Sequence, residues 1–322
     1  MHTGLKMAGY ALGLAAIFAA AVGIGAAVGP STTVPAAAAG SHSEDVHNAT
    51  DEEITTAMAE AAEMPGGLMV SQDGFTLALA DRSAPAGPGM PLRFQILGPD
   101  GSPVTGYQTE HDKDLHLIVV RRDLTGFQHV HPTLAQDGTW SVPVDLPAPG
   151  EYRVFADFTP ADHDGGLTLG ADLAVPGAYD PRPLPAPAVT ADAGDGYQVT
   201  LAGRLVAGQD SELTLNISKD GAAVPDLQPY LAAYGHLVAL RAGDLAYLHV
   251  HPAGEPGDGV TPAGPDITFY ATAPSAGDYR LYLNFQHNGV VRTAEFTMPA
   301  ARAPGAMTID TPVGPEPEGH GH

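Results

Sequence analysis

Six histidines recur at one spacing: His116, His129 and His131 in one half of the chain, and His236, His249 and His251 in the other. Each set ends His-Val-His-Pro, with its first histidine thirteen residues ahead of the second. Residues two apart in a strand share a face, so each His-Val-His presents two imidazoles side by side. Imidazole nitrogen binds borderline divalent metals, and a thiol-free histidine site suits Cu(II), Zn(II) or Ni(II) better than Ca(II) or Mg(II). Cu(II) leads on affinity order, with Zn(II) second. The chain has no cysteine, which excludes disulfides, thiolate metal sites, catalytic thiols and a lipidated N-terminal Cys.

These histidines lie in an internal repeat. Asp73-Gly74-Phe75 is answered by Asp195-Gly196-Tyr197, and His116-Leu117-Ile118-Val119 by His236-Leu237-Val238-Ala239. Gly150-Glu151-Tyr152-Arg153 is answered by Gly277-Asp278-Tyr279-Arg280, and Phe158 by Phe285. Each copy spans on the order of 105 residues, an ordinary domain size. Within the first copy, stretches of β-branched and apolar residues separated by Gly, Pro and Asp turns predict strands at 75–79, 92–97, 115–121, 127–131, 139–146, 151–158 and 167–175. Seven short strands without helical periodicity predict an all-β fold of two tandem Ig-like β-sandwiches.

If consecutive strands run up and down, His116 and His131 lie at one end of the first sandwich. The strand ending at Phe158 returns there and turns through Asp157 and His163; the matching turn holds Asn284 and His287. The expectation is therefore one site per repeat, at its rim: His116, His129, His131 and His163 in the first, and His236, His249, His251 and His287 in the second. It depends on hairpin register. Pairing His116 with His131 puts the three on one face, whereas a one-residue slip sends His116 to the other, and the turn from Arg122 to Gly126 permits either. The competing reading is a hydrogen-bonded corner in which the imidazoles only satisfy loop carbonyls. His111 aligns with Leu231 and falls outside any shared site, and the terminal His320 and His322 are at most a loose metal trap. Trp140 reads as core; Tyr152 and Tyr279 read as strand-start packing residues; Asp123 and Asp244 read as turn formers.

Around the repeats, residues 1–30 read as an N-terminal transmembrane or signal helix, because the uncharged run from Met7 to Val28 follows Lys6 and is long enough to cross a bilayer. Residues 31–65 form an acidic, Ala-rich spacer; 66–178 the first repeat; 179–190 a Pro-rich, extended linker; 191–300 the second repeat; 301–322 a Pro/Gly tail expected to be disordered. Lys6 on the inner side places the repeats outside the cytoplasm, either single-pass at the cell membrane or secreted after cleavage. With 14 Lys and Arg against 37 Asp and Glu, a net charge of −23 repels nucleic acid. No phosphate loop, nucleophile elbow or His-Glu-x-x-His helix is present, so the expectation is a non-catalytic metal-binding or delivery protein. The alternative is an envelope interaction module with structural histidines and another envelope protein as partner.

Leu115 to Leu124 followed by Phe127-Gln128-His129-Val130-His131-Pro132, with Tyr234 to Arg241 followed by Tyr247-Leu248-His249-Val250-His251-Pro252, resembles a family of actinobacterial exported or membrane-anchored proteins. That resemblance implies export and anchoring but no activity. More loosely, the domains resemble YtkA-like and CopC-like extracytoplasmic β-sandwiches, some of which handle copper, a fold-level analogy.

Overall fold

Alternating apolar residues in short, turn-bounded segments bury one face of each strand, and in the computed structural model they do so in two sandwiches. The structure describes residues 64–248 and 250–303. The N-terminal span, the spacer up to residue 63, His249 and the tail from residue 304 lie outside the described residues. No helix among the described residues is long and apolar enough to cross a membrane.

In the first repeat one sheet runs Ser71–Gln72, Phe75–Leu79, Gly87–Leu97, Thr139–Leu146, Thr133–Leu134, and the facing sheet runs Leu167–Val175, Gly150–Pro160, His116–Arg121, Gln128–Val130. The second repeat pairs Thr190–Asp192, Tyr197–Gly203, Asp210–Lys219, Asp266–Thr272 and Val250–Pro252 in one sheet. Its other sheet holds Leu205–Val206, Val290–Ala301, Gly277–His287, Gly235–Arg241 and Tyr247–Leu248. This is the Ig-like division of strands into two sheets, and both copies carry its tyrosine corner. The Tyr152 hydroxyl donates to Ala148 O at 2.9 Å, and that of Tyr279 to Ser275 O at 2.8 Å. The tyrosines expected only to pack thus also pin the connection between the sheets. Trp140 is core, with its indole N–H donated to the Tyr107 hydroxyl at 3.1 Å.

Each repeat has its own core, and a third apolar cluster joins them. Along His116–Arg121, Leu117 and Val119 face the first core, whereas Ile118 and Val120 face Val238, Leu240 and Tyr282 of the second repeat. The two copies therefore meet through equivalent faces. Ile118 matches Val238, Val120 matches Leu240, and Phe155 matches Tyr282, so the contact is pseudo-twofold and resembles an isologous dimer interface. Leu124 and Leu245, at the tips of the central hairpins, join this cluster from left-handed backbone at φ 65° and 64°. The adjoining Asp123 and Asp244 hold the turns, as expected, by accepting from the backbone N–H of Thr125 and Ala246 and from Arg121 and Arg241.

Across this contact the Phe127 and Tyr282 rings stack at 3.9 Å, and the Tyr282 hydroxyl donates to Leu124 O at 2.7 Å. Tyr282→Phe should cost about 1–2 kcal/mol in chemical denaturation, because the buried carbonyl of Leu124 loses its donor. The linker is pinned. Arg182 N donates to Asp123 Oδ2 at 2.8 Å, Arg121 donates to Asp180 O at 3.3 Å, and Leu184 packs on the cluster between the repeats.

Candidate metal centre

The register left open by the sequence is set by the pairing of Leu117 with Val130 and Ile118 with His129. Continued by one residue it brings His131 opposite His116, so all three imidazoles share the face that meets the second repeat. One nitrogen from each of His116, His129 and His131 lies within 4.8 Å of the other two. His116 Nδ1 is 3.1 Å from His129 Nε2 and 3.2 Å from His131 Nε2. Nitrogens bound tetrahedrally at 2.0–2.1 Å are about 3.3–3.4 Å apart, so the trio already has close to the spacing of a metal-binding face.

The outer hydrogen bonds decide which ring atoms carry protons. His116 Nε2 is 3.2 Å from Glu110 O; a carbonyl only accepts, so the proton is on Nε2 and the Nδ1 lone pair points into the trio. His129 Nδ1 donates to Asn284 Oδ1 at 3.2 Å, and Asn284 is oriented by its own bond to Thr293 Oγ1 at 2.8 Å. His129 Nε2 therefore also offers a lone pair, facing that of His116. His131 can satisfy His116 by donating, but His129 Nε2 is then left without a donor. Two neutral acceptors this close call for a cation between them. Such outer-sphere bonds are the usual means of orienting histidine ligands.

Burial keeps the rings neutral and their lone pairs available. It is the first cause of the lowered pKa of His116, of His129, held well below its usual value, and of His131, held at about 3; the neighbouring imidazoles add repulsion. His236 is brought down to about 4, again first by burial.

In the second repeat the described histidines His236, His251 and His287 do not come together as a trio of their own. Tyr247–Leu248 pairs with Leu240 and Ala239 for only two residues, and by Val250 the chain has joined Asp266–Thr272 in the opposite sheet. His251 is paired there with Tyr270, and His249 lies outside the described residues. His236 instead belongs to the first repeat's cluster: its ring is 6.3 Å from that of His116 and 6.0 Å from that of His129, against 4.9–5.3 Å within the trio. Among the described residues there is one histidine trio.

His163 and His287 do not join it. Each ring turns to the aromatic residue that opens its own repeat, His163 edge-on to Phe75 at 5.3 Å and His287 to Tyr197 at 5.7 Å. His287 Nδ1 bonds the Tyr197 hydroxyl at 2.7 Å, and His163 Nδ1 donates to Gly165 O at 3.0 Å. Both rings thus pack at an end of their own sandwich, against the strands Phe75–Leu79 and Tyr197–Gly203.

Sequence reasoning missed residues contributed by loops and by the other repeat. His111, set aside because Leu231 replaces it, lies 5.2 Å from the His236 ring. It sits with Asp112 in a tight turn at φ 48° and 62°, closed between Glu110 and Lys113, and Leu231 and Ala232 adopt the same turn in the other copy. That turn delivers the carbonyls of Glu110 and Tyr230 to His116 and His236. A cavity of about 90 Å³ between the repeats is lined by Glu110, His111, His116, His129, His236 and His251.

A family model described as a domain of unknown function (DUF8832) matches residues 70–169 and 190–302, more than half of the chain. No curated protein matches. Among solved structures, the Escherichia coli adhesin FdeC is 15% identical over 72% of this chain and 65% of its own, with a TM-score of 0.25. Invasin, described as a bacterial integrin-binding protein, is 12% identical over 73% of this chain and 41% of its own, with a TM-score of 0.22. The Yersinia pseudotuberculosis adhesin InvE is 15% identical over 71% and 59%, at 0.22. This chain spans less than two thirds of each of them, and likeness at this level carries no functional argument.

Proposed function

The chain belongs to the DUF8832 family, and we propose that it is a non-catalytic transition-metal binding or delivery protein acting outside the cytoplasm, with His116, His129 and His131 as ligands of one ion. The observation that carries this reading is the 3.1 Å approach of His116 Nδ1 to His129 Nε2 while the outer nitrogen of each ring lies against an acceptor, Glu110 O and Asn284 Oδ1. A hydrogen-bonded corner would give each acceptor its own donor, whereas here His116 Nδ1 and His129 Nε2 have at most the one N–H of His131 between them. Three imidazoles without thiolate suit Cu(II) first and Zn(II) second. The extracytoplasmic location and the membrane tether rest on the Met7 to Val28 run, which lies outside the described residues.

Chelator-stripped full-length protein should take up one Cu(II) or Zn(II) per chain in isothermal titration, with two ions per chain refuting the single-trio site and none refuting metal binding altogether. Asn284→Ala should weaken that binding about 10- to 100-fold without changing its stoichiometry, the usual effect of losing an outer-sphere partner.

A second reading is an envelope interaction module whose histidines are structural. Tandem Ig-like sandwiches suit it. It predicts a partner that stays bound after chelation and after His129→Gln, and loss of the partner on metal removal would rule it out.

A further inference from the structure

The second repeat supplies a histidine that faces the trio without belonging to it. We infer that an ion held by His116, His129 and His131 keeps a fourth, exchangeable position for a small protic ligand such as water, and that His236 Nδ1 accepts that ligand's hydrogen. This rests on the metal-binding reading above.

Two features of His236 carry the assignment. It is the counterpart of His116, and its Nε2 donates to the equivalent turn, to Tyr230 O at 2.8 Å and Leu231 O at 3.1 Å. Its Nδ1 therefore carries a lone pair, and the ring lines the same cavity as His116 and His129. Distance then sets its role. Ring separations of 6.0 and 6.3 Å, against 4.9–5.3 Å inside the trio, exceed the spacing of tetrahedral co-ligands and put His236 beyond the ligand sphere of an ion that the trio holds tetrahedrally.

The cavity suits a small ligand. At about 90 Å³ it is far below the volume of an organic ligand pocket. A water takes about 30 Å³ in the liquid, so a few waters or a triatomic anion fill the space. Three protein ligands plus one exchangeable position is the arrangement of open metal sites. Polarity fixes the class of ligand: a ligand that brings a hydrogen satisfies both the ion and His236, whereas one with only acceptor atoms leaves the His236 lone pair facing another lone pair.

Azide, an acceptor-only anion, tests this on full-length protein loaded with cobalt(II), whose visible bands report its ligands. Wild-type protein should bind one cobalt and show a saturable band shift with azide. His236→Ala should keep the cobalt and bind azide about tenfold tighter, since the water that azide displaces no longer has a partner. His236→Asn, which restores an acceptor oxygen near the Nδ1 position, should return azide affinity toward the wild-type value. Cobalt binding with bands indifferent to azide would overturn the exchangeable position while leaving the metal site intact. Equal or weaker azide affinity in His236→Ala would overturn the role of His236. Failure to bind cobalt would overturn the metal reading and this inference with it.

Discussion

Metal-free His131→Gln protein is expected to melt at or above the wild-type temperature and to gain nothing from Cu(II) or Zn(II). In wild type, His131 Nε2 and His129 Nε2 both press on His116 Nδ1, at 3.2 and 3.1 Å, with at least one contact between lone pairs. A Gln amide at position 131 has two N–H groups where a neutral imidazole has one, enough to serve both His116 Nδ1 and His129 Nε2, and so relieves the apo protein. The same change removes one of three ligands, which should lower affinity by more than the 10- to 100-fold of an outer-sphere loss. Wild-type protein at ion concentrations about 100 times the dissociation constant should gain about 2.7 kcal/mol, a rise of roughly 5–10 °C. Scanning calorimetry with and without ion separates the two readings. A variant that melts well below wild type yet still responds to metal would make these histidines structural.

Acid should destabilise the metal-free protein from about pH 6.5 downward, before most carboxylates titrate. Imidazoles in the unfolded chain protonate near 6.5, while native His236 holds off until about 4 and His131 until about 3. Above 6.5 both states are neutral and the native state has its full stability. As pH falls through the window, the unfolded chain binds protons that the native protein does not, so stability falls with pH and is lost below the folded values. The shift at His236 alone, from 6.5 to about 4, corresponds to about 3 kcal/mol. Bound metal should move the loss to lower pH, because protons must then displace it. Urea melts at pH 7.5, 6.0 and 5.0 test this; equal midpoints across the series would mean that the rings are not desolvated.

Much of the fold was legible because each core-facing strand announces itself. The expected strands at 75–79, 139–146 and 167–175 coincide with Phe75–Leu79, Thr139–Leu146 and Leu167–Val175. The pairing of repeats was not foreseen, although a signal was present. His116-Leu-Ile-Val-Val-Arg and His236-Leu-Val-Ala-Leu-Arg lack the polar alternation of a half-exposed strand, and such runs belong to sheets covered on both sides. Reading them that way would have put a partner against Ile118 and Val238. The trio's register was illegible because it turns on Leu124, a residue with no preference for the left-handed backbone it adopts at φ 65°. His163 and His287 misled for a related reason: they stand near the right turn in sequence, but side-chain direction, which spacing does not encode, points them at Phe75 and Tyr197.

The pinned linker has a thermodynamic consequence. Two separate copies meeting through so small an apolar patch would associate according to their concentration, and dilution would part them. Joined through the linker at 179–190, with Arg182 and Leu184 fastened at the contact itself, the copies meet at an effective concentration on the order of millimolar. Dilution then leaves the pair closed, and the walls of the histidine cleft with it.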